Sequence, residues 1–545
     1  MLPRDPTATA HVDTFVRDRL PPPQALPDLL FELPELQFPP RLNCAAELLD
    51  RWVGAGVTAG QGTRPCVQGD KVAWTYAQLQ AQANRIAHVL VADLGLRTGQ
   101  RVLLRGANSP WLAACWFAIV KAGGIAVGSM PMLRARELAA IIDKAQVTHA
   151  LCDAALAAEL QAARAVCPSL QQVLHYGEGG DLASVAAGKS DHFDTVDTAA
   201  DDPCLVAFTS GTTGVPKGTI HSHRDVMAAC ACWPPHVLRP TRDDVFIGSP
   251  PLAFTFGLGG LLLFPLSVGA STVLVEKTTP EALLQAIARF GATVCFTAPT
   301  SYRAMAAQVA QYKLGSLRKC VSAGEALPAA TRALWKQATG IELIDGIGST
   351  EMLHIFISAD ETQARPGATG LPVPGYRAAV LGDDGRELPP GQVGRLAVKG
   401  PTGCKYLDDR RQSTYVQHGW NLTGDAYLVD TDGQFVYQAR TDDMIVSGGY
   451  NIAGPEVEAA LLLHPAVAEC GVVGCPDEAR GMLVQAHVVL KPGHEPGPAM
   501  ARALQDFVKQ TIAPYKYPRE IVFRASLPRT ETGKLQRFKL KDLRA

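Results

Sequence analysis

Net charge is nearly absent from this sequence. Its 51 Lys+Arg stand against 52 Asp+Glu, a formal net charge of −1 over 545 residues. That balance excludes the electrostatic footprint of a nucleic-acid or anionic-membrane surface. An unbroken apolar run is missing too. Phe246 to Val275 carries no charge, but Pro250, Pro251 and Pro265 interrupt it, as do Gly248, Gly257, Gly259, Gly260 and Gly269. It reads as strand, loop, buried helix and strand, not as a membrane span. Met1 to Val16 carries charges and no apolar leader core, so no signal peptide is expected and a cytoplasmic location is. The 13 cysteines follow no disulfide or zinc spacing. Cys230 and Cys232, like Cys470 and Cys475, have no Cys/His set beside them, and buried reduced thiols are expected. No fixed-period repeat or low-complexity tract occurs.

What is present is a globular balance, 47% hydrophobic and 19% charged residues, with length for roughly three or four units. After a proline-rich opening (Pro21, Pro22, Pro23, Pro27, Pro34, Pro39, Pro40), strand and helix patterns alternate. Strands are expected at Arg101 to Leu104, Ile125 to Val127 and Val147 to Leu151, with helices at Pro110 to Ala122 and Arg134 to Ala145. The rhythm recurs at Val245 to Gly248, Thr272 to Val275, Thr293 to Phe296 and Glu342 to Ile344. This is an α/β chain of doubly wound, parallel sheets with helices on both faces. From about residue 375, turn pairs such as Asp384-Gly385 and Asp432-Gly433 mark a β-rich subdomain. A small α+β unit follows, with a helix from Pro455 to Leu463 and strands at Glu469 to Val473 and Gln485 to Leu490. The expected division is 1–439, with the β-rich part at 375–439, then a hinge at 440–443 and a mobile C-terminal domain at 444–545.

The strongest local signal is Phe208-Thr-Ser-Gly-Thr-Thr-Gly-Val-Pro-Lys-Gly218, which follows the buried-strand pattern Cys204 to Ala207. Glycines let the backbone turn tightly and aim N–H groups at an anion, hydroxyls add donors, and Lys217 adds charge. It is not the NTPase P-loop, because Gly218 and not a Ser or Thr follows Lys217. Phosphate binding is the reading that chemistry favours.

The segment resembles the signature loop of the adenylate-forming superfamily, which includes acyl- and aryl-CoA synthetases. Further motifs resemble that family in the same order: Ser322-Ala-Gly-Glu325, Asp345-Gly-Ile-Gly-Ser-Thr-Glu351, Thr423-Gly-Asp425, Arg440 to Ile452, and Arg529-Thr-Glu-Thr-Gly-Lys-Leu535. The resemblance implies two half-reactions. A carboxylate attacks the α-phosphate of ATP to give an acyl-adenylate and pyrophosphate, and a thiol then displaces AMP. An anion must approach a polyanion, so positioning and electrostatics dominate.

Roles follow by resemblance. Thr209, Ser210, Gly211, Thr212, Thr213, Gly214 and Lys217 would hold the β- and γ-phosphates. Thr350 would bond the α-phosphate, and Glu351 would ligate Mg²⁺. Ser322, Ala323, Gly324 and Glu325, with Asp345, Gly346 and Ile347, would flank adenine and the acid. Asp425 would accept from the ribose hydroxyls, and Arg440 would contact ribose or phosphate. Lys534 would bridge the substrate carboxylate and the α-phosphate during adenylation. Rotation about Asp442 would then bring Gly448, Gly449 and Tyr450 to a pantetheine path, with Lys516 against a CoA phosphate.

The chain ends at Ala545, shortly after Lys534, leaving no room for a fused carrier domain; free coenzyme A is the expected thiol. For the acid, Gly348-Ser-Thr-Glu-Met-Leu-His-Ile-Phe356 and Pro251-Leu-Ala-Phe-Thr-Phe-Gly257 resemble benzoate-type ligases. Ala10 to Phe15 and His221 to Asp225 resemble 2-aminobenzoate-CoA ligases. Ala253, Phe254, Gly348 and His354 would line a flat aromatic pocket. His223 is either an acceptor for an ortho amino group or a helix-start residue bonded to nearby backbone. Alternatives are a medium-chain acid, a stand-alone carrier protein as acceptor, or a silent nucleotide-binding protein. A homodimer is left open.

Overall fold

Apolar strands alternating with amphipathic helices build the expected layers, and the edges of those layers depart from the parallel pattern. The computed structural model describes residues 8–54, 60–209, 216–441, 443–447, 450–477, 481–512, 514–529 and 535–542. A six-stranded sheet runs in the order Gln172–Tyr176, His149–Asp153, Arg101–Arg105, Ile125–Ser129, Pro203–Thr209, Lys217–Ser222. Its pairs are parallel except the last, which is antiparallel. The strand Arg101–Arg105 is buried throughout. Its Arg105 is tolerated inside because Nη1 donates to Met130 O at 2.8 Å, and Nη2 to Pro131 O and Leu133 O at 2.9 Å.

The helix Pro110–Lys121 starts where Ser109 Oγ accepts from Leu112 N and Pro110 takes the first turn. Its buried Lys121 meets Asp50 at 2.5 Å, which removes the cost of a lone charge in the core. One strand is displaced from its expected position. Val147 to Leu151 becomes His149–Asp153, because Gln146 adopts φ 47° and Val147 N still bonds Ile142 O, so Val147 belongs to the helix exit.

A nine-stranded sheet follows the order Leu371–Pro372, Ile355–Ser358, Leu343–Gly348, Lys319–Ser322, Val294–Thr297, Val245–Gly248, Ser271–Val273, Pro65–Gln68, Ala73–Thr75. Its centre is parallel, while Ala73–Thr75, Ile355–Ser358 and Leu371–Pro372 join antiparallel. The uncharged 246–275 stretch is strand, loop, helical turns from Thr255 to Ser267, and strand. No described helix is long and apolar enough to cross a membrane. A five-stranded, β-rich sheet contains Arg377–Leu381, Gly394–Lys399, Trp420–Val429 and Phe435–Arg440. The C-terminal unit has its own sheet and its own core, in which Ile445, Ile452, Val457, Leu461, Val484 and Leu504 are buried.

Candidate active site

The strand Pro203–Thr209 delivers Thr209 to the start of the glycine-rich segment, and Lys217 opens the returning strand opposite it. Thr209 Oγ1 is buried with no hydrogen-bond partner among the described residues. Ser210, Gly211, Thr212, Thr213 and Gly214 lie outside the described residues. The edge of Lys217–Ser222 is covered by a segment from the β-rich subdomain. Ile220 N donates to Lys405 O at 2.8 Å, Leu407 N to Gly218 O at 2.8 Å, and Thr219 bridges Tyr406.

That stitching places Tyr406 beside two residues expected at the site. Lys217 Nζ donates to the Tyr406 hydroxyl at 2.9 Å, and the hydroxyl donates to Glu351 Oε1 at 2.5 Å. Lys217 Nζ and Glu351 Oε1 are 3.5 Å apart. Burial, with the Glu351 charge next, pushes the Tyr406 phenol far above its ordinary value, so it keeps the proton it donates. Tyr406 was not legible in the sequence, since neither its spacing nor its neighbours mark it.

Thr350 and Glu351 follow the strand Leu343–Gly348, and His221 Nε2 meets Thr350 O at 2.8 Å. Burial lowers His221 to about 4, so the ring is neutral and donates from Nε2 to that carbonyl. Behind it, Lys405 pairs with Asp225 in the interior. Burial alone would raise the Asp225 carboxyl, but the Lys405 charge and the hydrogen bonds from Lys405 and Ser222 N outweigh it, and the group lies below its ordinary value. Leu353, at φ 68°, turns the chain left-handed between Glu351 and His354.

Among the residues expected to flank adenine and the acid, Ser322 and Asp345 are register partners on neighbouring parallel strands. Ser322 Oγ and Asp345 Oδ1 are both buried without a partner among the described residues. Burial raises the Asp345 carboxyl to about 7, and the Arg332 charge only partly opposes this. Gly324 takes φ +90° just after the strand, which a Cβ would disfavour. Orphaned polar atoms and a tight glycine turn at strand ends suit a polar ligand. Asp425 and Arg440 face each other across a strand pair. Arg440 Nη1 reaches Asp425 Oδ1 at 3.2 Å and Thr423 O at 3.0 Å. A Cβ on Gly424 would come within 2.6 Å of Arg440 Nη2, so glycine there lets the guanidinium lie over the turn.

On the acid side, Asn108 fixes the loop that carries Ala253 and Phe254, with Nδ2 donating to Pro250 O at 2.9 Å and Oδ1 accepting from Leu252 N at 2.8 Å. Ala253 and Phe254 border a small apolar cavity of about 20 Å³ shared with Trp116 and Leu258. His354 lies in a ring cluster, with centroids 4.4 Å from Phe264, 5.6 Å from Phe256 and 5.8 Å from Trp233. Burial lowers it to about 3, so it is neutral, and its Nδ1 has no partner among the described residues. His223 is elsewhere: Cys44 N donates to its Nδ1 at 3.1 Å. It opens the helix His223–Trp233, and its backbone partner comes from a remote part of the chain.

In the C-terminal unit, Lys516 is taken up by both oxygens of Glu456 at 2.6 Å, so a phosphate would have to displace that pair. Tyr450 begins a strand paired with Ser447. Asp442, Gly448, Gly449 and Lys534 lie outside the described residues. The residues flanking the lysine segment, Arg529 and Leu535, bridge one another, and Arg529 Nη1 lies 3.8 Å from Glu325 Oε1. The base of that segment thus adjoins the adenine-side turn.

Comparison with known proteins finds the AMP-binding enzyme family model matching residues 56–406 and the AMP-binding enzyme C-terminal domain matching residues 456–534. A benzoate–CoA ligase of Thauera aromatica is 36% identical over 93% of this chain and 97% of its own length. A crystal structure of the anthranilate CoA ligase AuaEII in complex with anthranoyl-AMP superposes with a TM-score of 0.89 at 35% identity, covering 94% of this chain and 98% of the other. A benzoate CoA ligase from Burkholderia xenovorans LB400 gives 0.83 at 31% identity, covering 92% and 99%.

Proposed function

Because the chain belongs to the AMP-binding enzyme family and is an AMP-forming acid–thiol ligase, we propose that its acid is aromatic, benzoate or 2-aminobenzoate, and its thiol free coenzyme A. The observation that carries the aromatic reading is the ring cluster around His354, beside the loop bearing Phe254. Flat apolar walls favour a planar ring, and an unpartnered imidazole nitrogen among them gives a ring substituent one polar contact. The benzoate and anthranilate ligases among its relatives support the same reading.

In the first half-reaction a carboxylate oxygen of the acid bonds to the α-phosphorus of ATP. The bond to the pyrophosphate oxygen breaks, and pyrophosphate leaves with the electron pair. Lys217, held by Tyr406 beside Glu351, supplies a cation where the β- and γ-phosphates lie. Thr209 Oγ1 and Ser322 Oγ, unpartnered and buried, are donors for the nucleotide. Asp425 accepts from the ribose hydroxyls, and Arg440 orients it. The Glu351 carboxylate, a hard oxygen donor, suits Mg²⁺, which when bound offsets phosphate charge. In the second half-reaction the thiolate of coenzyme A attacks the acyl carbon and AMP departs. The two steps need different groups at one carbon, which is the reason for a hinge near 440–443 and a lysine, Lys534, on the smaller domain.

The test is AMP release with coenzyme A across benzoate, 2-, 3- and 4-aminobenzoate, phenylacetate and octanoate. Benzoate or 2-aminobenzoate is expected to give the highest kcat/KM. Octanoate outperforming every aromatic acid would overturn the aromatic assignment. One ring substituent in an apolar pocket is worth about 1–3 kcal/mol, so neighbouring acids should differ by about 10- to 200-fold and not absolutely.

A further inference from the structure

Three side chains that the reaction leaves unused converge in the interior behind the phosphate loop. Cys44 opens the helix Cys44–Leu48, Cys204 lies on the strand Pro203–Thr209, and His223 opens the helix His223–Trp233. Their ligand atoms lie within 4.8 Å of one another, and the three residues are 0%, 0% and 1% exposed. His223 Nδ1 is 3.3 Å from Cys44 Sγ. In a tetrahedral zinc site the sulfur and nitrogen ligands, at about 2.3 and 2.0–2.1 Å from the metal, are separated by a similar distance.

The N-terminal arm is bound close to the strand that carries Cys204. Thr9 and Ala10 bond Asp202, Arg17 pairs with the same carboxylate at 2.8 Å, and Val12 N and Asp13 N bond Thr98 O. These contacts pin His11 inside at 6% exposure, yet neither of its ring nitrogens has a hydrogen-bond partner among the described residues.

We propose that Cys44, Cys204 and His223 form a structural site for a thiophilic divalent cation, Zn²⁺ foremost. Charge balance favours that ion. Two thiolates and a neutral imidazole around Zn²⁺ sum to zero, the only total that an enclosed apolar position holds cheaply. Binding breaks two S–H bonds and releases two protons to solvent, and the sulfur electron pairs form the metal bonds. The Cys44 N–H that His223 Nδ1 accepts at 3.1 Å then turns to the adjacent thiolate. The ion ties the helix Cys44–Leu48 to the strand that leads into the glycine-rich segment and to the helix His223–Trp233. The ligands are scattered along the chain, which is why no zinc spacing appears in the sequence.

The test uses the full-length enzyme, reduced and stripped of metal, titrated with Co²⁺ and then Zn²⁺. Expected is about one Co²⁺ per chain with thiolate-to-metal charge-transfer absorption and the intense visible bands of tetrahedral cobalt, bleached by Zn²⁺. The thermal midpoint should rise with Zn²⁺ concentration, as binding to the native state requires. Cys44→Ala and Cys204→Ala should each abolish the charge-transfer band, His223→Ala should shift the visible bands, and Cys295→Ala should change neither. The wild-type spectrum needs no variant to fold. Absence of the band in the reduced wild-type enzyme overturns the site. So does persistence of the band in Cys204→Ala, or a Cys44–Cys204 disulfide in a protein that takes up no metal after reduction.

Discussion

The Tyr406 hydroxyl donates to Glu351 Oε1 at 2.5 Å while accepting from Lys217 Nζ at 2.9 Å, so one phenol bonds both members of the Lys217–Glu351 pair at the end of the glycine-rich segment. Lys217 and Glu351 are themselves paired at 3.5 Å, and the phenol fixes the position of both side chains. Tyr406→Phe removes a hydrogen bond to a charged group, worth about 1.5–3 kcal/mol. The expected result is a loss of roughly 10- to 100-fold in kcat/KM for ATP, with the KM of the aromatic acid little changed. Pyrophosphate–ATP exchange measures it, and wild-type exchange in the variant would remove Tyr406 from the site.

The buried Asp345 makes stability fall with rising pH. Its carboxyl is raised from 3.8 to about 7 in the fold, so between those values the native state holds a proton that the unfolded chain has lost. Stability therefore declines as pH rises from about 4 to about 7, by on the order of 4 kcal/mol from this group alone. His221 and His354, lowered by burial, act in the opposite direction over an overlapping range. The difference between wild type and Asp345→Asn isolates the carboxyl. Urea unfolding of the apo enzymes should show the variant gaining on wild type between pH 5 and 8, and parallel pH profiles would contradict the raised value.

Gly259 is required by the imidazole it faces. It has helical backbone angles, so alanine would ordinarily add about 0.4–1 kcal/mol of stability. Here a Cβ would come within 2.4 Å of His354 Cδ2, and overpacking of that kind costs about 1–3 kcal/mol. The clash is the larger effect. Gly259→Ala is expected to lower the melting temperature and to raise the KM for benzoate or 2-aminobenzoate while leaving the KM for ATP unchanged. A stabilised variant with unaltered benzoate kinetics would show that His354 does not border the acid.

The parts of the site that sequence reveals are those built from contiguous residues. The glycine-rich segment, the Thr350-Glu351 pair and the Asp425 turn each carry their chemistry within a few positions. The helix Pro110–Lys121 was equally plain, because Ser109, Pro110 and Gly123 punctuate it. The antiparallel edges were not, since Ile355–Ser358 and Lys217–Ser222 have the same apolar composition as parallel core strands and only pairing decides direction. Tyr406 was hidden for a related reason. It reaches Glu351 because the 405–407 segment docks on the edge of another sheet, a tertiary event with no local signature. His223 was ambiguous from sequence for the same cause, as its neighbour Cys44 is remote in the chain.

The division of labour between domains gives the sharpest test of the reaction. Arg529 contacts both Glu469 of the C-terminal unit, at 2.8 Å, and Glu325 of the larger domain, at 3.8 Å. The segment between Arg529 and Leu535, which contains Lys534, therefore starts beside the adenine-side turn. In the proposed reaction a cation from that segment would offset charge as the carboxylate approaches the α-phosphate, and would have no part in the later attack by the thiol. Lys534→Ala is expected to lose about 10²- to 10³-fold or more in adenylation, the range typical of removing one group that stabilises transition-state charge. Coenzyme A thioester formation from a supplied benzoyl- or 2-aminobenzoyl-adenylate should be nearly unaffected. Equal losses in both half-reactions would point to a folding defect or to a lysine that serves both steps, and unchanged pyrophosphate exchange would remove Lys534 from the chemistry altogether.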